Sequence, residues 1–102
     1  MSAPNGSSPH CRVDDGDKLP AGSGGTNALC SAIERAMSES VPGLAYSAEV
    51  RVISSSMLSA VLTADGRALP EQKFARTDGE LDGSAFERFA SALADQAAKA
   101  RH

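Results

Sequence analysis

Two places in the chain carry side chains arranged as reactive or ion-binding groups would be. Asp78, Glu80 and Asp82, followed by Gly83, put carboxylates at alternate positions ahead of a glycine. That is how a loop that wraps calcium in successive oxygens begins. The loop does not close as calcium requires: its twelfth position, which needs a bidentate acid, is Phe89, and Glu87 lies two residues early. Asp78, Glu80, Asp82 and Glu87 are thus the metal candidates, set against the plainer reading of a solvated turn feeding a capped helix. No metal or other cofactor is expected.

The second place is the cysteine pair, Cys11 and Cys30. Their separation fits no Cys-x-x-Cys redox or zinc pattern, and two cysteines with the terminal His10 and His102 make a poor tetrahedral set. A disulfide is the simplest paired reading, and closing a loop of this size is worth about 3 kcal/mol in the chain-entropy model. The competing reading makes Cys30 a small buried hydrophobe and Cys11 an exposed thiol.

Other chemistry finds less support. Ala21-Gly22-Ser23-Gly24-Gly25-Thr26 precedes a helix and could present amides to an anion, but it lacks the Gly-Lys-Ser/Thr of a phosphate loop and the preceding strand of a dinucleotide fold. A linker ending in a helix cap explains it better. Asp14-Asp15-Gly16-Asp17 reads as a solvated acidic turn. Both histidines lie at the chain ends, so no Ser-His-acid or Cys-His arrangement has held geometry. Glu49, Glu71 and Asp95 occupy ordinary exposed positions. An enzyme is not expected.

Hydrophobic periodicity predicts the helices and strands on which these groups sit. Leu29, Ile33 and Met37, with Cys30 beside them, make one face of a helix over residues 27 to 39, capped by Thr26 or Asn27 and stopped by Pro42-Gly43. Tyr46, Ala48, Val50 and Val52 alternate with polar residues, predicting a strand over 45 to 53 with Glu49 and Arg51 toward water. Leu58, Ala60 and Leu62 continue the pattern to an Asp65-Gly66 hairpin turn and a third strand ending at Phe74. A two-residue turn sets Leu62 opposite Leu69 but leaves Leu58 opposite Lys73. One extra residue near Pro70-Glu71 restores Phe74 to the buried face, and the proline assigns this strand to a sheet edge. Ser84-Ala85-Phe86-Glu87 reads as a capping box opening a final helix, whose apolar stripe is Phe86, Phe89, Ala90, Leu93 and Ala97.

The expected fold is α+β in the order α-β-β-β-α: a three-stranded antiparallel meander with both helices on one face. All four aromatics lie beyond residue 45, whereas residues 1 to 25 hold five Gly, three Pro and four Ser. Residues 1–25 are therefore expected as a flexible arm and 26–102 as a single small domain. The net charge of −3, with basic residues scattered, leaves no nucleic-acid footprint. No window approaches a membrane span. The first six residues show neither the n-region nor the h-region of a signal peptide, which leaves a cytosolic protein or one whose leader is removed.

The strand-Asp-Gly-strand hairpin followed by Thr77-Asp78-Gly79-Glu80-Leu81-Asp82-Gly83-Ser84-Ala85-Phe86 resembles the C-terminal domains of the TolA and TonB envelope proteins over roughly residues 28 to 98. Those domains carry a helix, a sheet with an Asp-Gly turn and an LD-x-x-A-hydrophobic lead-in to a closing helix. This chain differs in its additional long strand and in lacking their stalk. It also looks like short uncharacterised proteobacterial proteins. The resemblance implies a periplasmic or secreted, non-catalytic protein-interaction or structural module of the bacterial envelope, and transfers no catalytic residue. Its partner is expected to be another protein or a second copy meeting a sheet edge, with the first strand as that edge and Cys11-Arg12-Val13 as the competing occupant. The alternative function is a small ligand- or metal-ion-binding protein, calcium-binding or thiol-dependent and regulatory, and the alternative location is the cytoplasm.

Overall fold

The computed structural model describes residues 11–100, which run through β1 (Cys11–Asp14), α1 (Gly25–Ser40), β2 (Tyr46–Ser54), β3 (Met57–Ala64), β4 (Arg67–Ala68), β5 (Gln72–Ala75) and α2 (Gly83–Ala100). The α+β class holds. The sheet, however, is mixed and has five strands where a three-stranded antiparallel meander was expected.

Period-two alternation produces the β2–β3 ladder as read. Ala48 pairs with Leu62, Val50 with Ala60 and Val52 with Leu58, and all six are buried, whereas Glu49 and Arg51 on the opposite face are exposed. The Asp65-Gly66 turn has φ of 52° and 80°. Positive φ at both central residues is the hairpin geometry whose twist matches the flanking strands. Beyond the turn, Thr63 pairs with Ala68, but Ala60 pairs with Gln72 and Leu58 with Phe74. The register has therefore gained one residue between β4 and β5, around Leu69-Pro70-Glu71. Without that residue Phe74 would face water and Lys73 the core. Gln96 of α2 holds the interruption by donating from Nε2 to the Pro70 carbonyl at 2.7 Å.

The largest correction concerns the N-terminal segment. Cys11 to Asp14 form β1, parallel to β2, pairing Cys11 with Ala48, Arg12 with Glu49, Val13 with Val50 and Asp14 with Arg51. Short turns at Gly16–Lys18 and Ala21–Ser23 follow, and Cys11, Leu19 and Ser23 are buried. Residues 11–25 therefore belong to the domain instead of forming an arm outside it. The first strand of the expected meander is an interior strand, its outer side already taken.

Both helices cover the apolar side of the sheet. Leu29, Cys30, Ala32, Ile33 and Met37 of α1 join Phe86, Phe89, Ala90, Leu93 and Ala97 of α2 in one core cluster. Complete burial of such side chains is worth about 1.5–3 kcal/mol for each large one. Neither Thr26 nor Asn27 caps α1. The helix begins earlier, where the buried Ser23 hydroxyl accepts the Gly25 N–H at 3.2 Å and donates to the Pro20 carbonyl at 2.7 Å. Gly24, at φ 97°, makes the bend that permits this. At the other end the Val41 N–H closes on Met37 O at 2.8 Å before Pro42-Gly43 stops the helix.

Candidate functional site

The acidic loop is organised by a residue that the calcium pattern ignores. Arg76, just past β5, donates from Nε to Asp78 Oδ1 at 3.3 Å, from Nη1 to Asp82 Oδ2 at 2.7 Å, and from Nη1 to the Glu80 carbonyl at 3.4 Å. A guanidinium thus stands where a metal ion was considered. Glu80 contributes its backbone carbonyl to this cluster, and Glu87 lies apart, at 3.8 Å from Arg35 of α1. Among the described residues no group of acidic, histidine or cysteine side chains is placed to hold a metal. The four metal candidates are therefore not one site: Asp78 and Asp82 share Arg76, and Glu87 links the two helices.

The cap of α2 differs from the expected box for the same reason. Asp82 Oδ1 accepts the Ala85 N–H at 2.9 Å, so Asp82 is the cap and Ser84 lies inside the first turn. Both residue types cap well. The carboxylate is favoured because its second oxygen is already oriented by Arg76. Its pKa is lowered from the ordinary 3.8, first by the Ala85 N–H and then by the Arg76 hydrogen bond. The Arg76 guanidinium is correspondingly pushed up, chiefly by its hydrogen bond to Asp82.

Cys11 and Cys30 are bridged, their Cα atoms 5.8 Å apart. The bond fastens β1 to α1 and so keeps β1 on β2, and it leaves no free thiol. In the glycine-rich segment the Ser23 hydroxyl takes the Gly25 N–H, one of the amides an anion would have needed. Asp14 of the acidic turn lies 3.5 Å from Arg12. His10 and His102 lie outside the described residues.

What remains open is an edge of the sheet. β5 pairs with β3 on one side and, among the described residues, with no strand on the other. Between β5 and the start of α2 lies a cavity of about 360 Å³, walled by Phe74, Arg76, Thr77, Ser84, Ala85 and Arg88. Its apolar floor is fixed by the core, where the half-buried Phe74 ring meets Phe89 at 6.2 Å with planes tilted by 58°. Arg88 makes no ion pair or hydrogen bond with any described residue. Sequence reasoning missed both arginines. Arg76 was discoverable as the cation just ahead of the acidic run, whereas Arg88 is an exposed helical residue that only the fold brings beside β5.

Comparison of the chain with protein-family models, with curated proteins and with solved structures returns no match.

Proposed function

We propose that this chain is a non-catalytic protein-interaction module of the bacterial envelope, working through the free β4–β5 edge of its sheet. The observation that carries this reading is the β5 edge, which no described strand pairs, beside a walled cavity. An exposed strand edge offers a row of main-chain donors and acceptors to a second chain. The opposite edge supports it less: β1 is as short as β5, but its Arg12 and Asp14 are paired with each other and, among the described residues, no comparable cavity lies beside it. The internal disulfide suggests a non-reducing compartment, in keeping with a periplasmic or secreted protein. Among the described residues no helix is long and apolar enough to cross a membrane.

The test is photo-crosslinking in living cells from a benzophenone amino acid placed at Lys73 on β5, with the same group at Glu39 on α1 as control. A discrete protein adduct from the Lys73 position, weaker or missing from Glu39, is the expected result. Adducts of equal yield and composition from both positions, or none from either, would dismiss the reading.

A further inference from the structure

We propose that the groove between β5 and α2 takes an extended acidic peptide, which adds to the sheet as a strand and lays a carboxylate against Arg88; this rests on the interaction-module reading above.

Three observations converge on that ligand. The first is the backbone: a strand laid along β5 completes hydrogen bonds that no described residue supplies. The second is the cavity. In an added strand every second side chain, at a spacing of ~6.6 Å, points toward the helix layer, and those chains enter the space between Phe74 and Ala85. A volume of about 360 Å³ lies in the range of small-ligand pockets and admits more than one such side chain.

The third is charge. The wall holds two guanidiniums and one carboxylate, Asp78; Arg76 is committed to Asp78 and Asp82, while Arg88 is not committed to any described residue and leaves the wall with an uncompensated positive charge. Ser84 and Thr77 add hydroxyl donors in the same wall. The α2 N-terminus also borders the groove, but its Ala85 N–H is already taken by Asp82, so the anion's partner is Arg88. Along the strand edge Arg67 and Lys73 are exposed and likewise free of ion pairs with described residues, against the single acid Glu71. In a chain of net charge −3 this edge is locally basic, so an acidic partner is attracted to it. The same charges disfavour a second copy. Antiparallel self-pairing of β5 would bring Lys73 of one molecule close to Lys73 of the other, which is how edge lysines block self-association.

The experiment is affinity selection of a randomised, displayed octapeptide library on the disulfide-intact protein, repeated on the exposed-surface variants Arg88→Glu and Arg88→Gln. Enriched peptides are then synthesised with a fluorophore and titrated. The expected peptides carry Asp or Glu at alternating positions, slow amide exchange over Gln72–Ala75, and bind Arg88→Glu ~10-fold more weakly, with Arg88→Gln between the two. Unchanged urea midpoints for both variants separate lost binding from lost folding. Enrichment of neutral or basic peptides, equal affinity for all three proteins, or no slowing at residues 72–75 would each overturn the acidic-groove assignment. Failure to enrich any peptide would also overturn it. None of these results decides the interaction-module reading, which stands or falls by the adducts of its own cross-linking test.

Discussion

Replacing both bridged cysteines by alanine tests the feature on which the N-terminal third of the fold depends. Cys11 and Cys30 are 2% and 4% exposed, so alanine keeps the sites apolar and leaves no buried hydroxyl without a partner. The bond closes a loop of sequence separation 19, which the chain-entropy model values at about 3 kcal/mol. Domains of this kind have a total stability of roughly 5–15 kcal/mol. With a urea slope of about 1–3 kcal/mol/M, the midpoint is expected to fall by about 1–3 M, followed by far-ultraviolet circular dichroism because the chain has no tryptophan. The loss should also have a location. β1 holds to β2 through one short parallel ladder from Cys11 to Asp14, so hydrogen exchange is expected to accelerate first at the β2 amides between Ala48 and Arg51. The β2–β3 side of the same strand should remain protected. If the midpoint moves by less than about 0.5 M and the β2 amides exchange at their original rates, the packing of Val13 and Leu19 holds β1 unaided and the reasoning from loop closure is wrong.

Phe89→Ala removes a ring that is 1% exposed and stacked obliquely on Phe74, and is expected to cost about 3–5 kcal/mol, read as a lowered denaturation midpoint. Asp82 has a folded pKa below its ordinary 3.8, so the stability it contributes is present above that value and is lost as pH falls through the folded pKa. Urea midpoints measured from neutral pH downward should therefore decline for the native protein, and Asp82→Asn should flatten that decline while starting lower. Arg76→Gln is expected to raise the Asp82 titration seen by carboxyl NMR without abolishing its depression, since the Ala85 N–H remains. Gly24→Ala places a side chain at φ 97° with its Cβ 2.7 Å from the Ala28 Cβ, and should destabilise by more than about 1 kcal/mol in the same denaturation assay.

Local physics accounts for the parts of this fold that could be read in advance. A strand with one wet face must alternate, so Ala48, Val50 and Val52 name their own orientation, and a slip of one residue would reverse it. That constraint was strong enough to require an extra residue near Pro70, because Leu58 could not reach Phe74 otherwise. The helices were equally legible from Leu29, Ile33 and Met37 and from Phe86, Phe89 and Leu93. The candidate site was less so. Asp78 and Asp82 were singled out with Glu80 and Glu87 as metal candidates, whereas the cation they share in the structure is the chain's own Arg76, a competition between cations that spacing cannot rank.

By itself, then, the sequence determined the α+β class, the antiparallel ladder with its displaced register, the buried stripe of each helix and the pairing of its two cysteines as the simplest reading. Tertiary structure alone decided the rest. β1 is four residues long with only Cys11 fully buried, too short for periodicity to register, and its parallel place beside β2 exists because a helix residue 19 positions away holds it there. Asp82 prevailed over Ser84 as the cap because the fold of the β5–α2 connection turns Arg76, six residues earlier, back to orient its carboxylate. The groove, likewise, has no sequence signature: Phe74 and Arg88 stand 14 positions apart and become neighbours only when β5 and α2 pack on a common core. For β1 and for the groove the deciding contact joins residues distant in the chain, and its energy depends on three-dimensional proximity that no local pattern encodes.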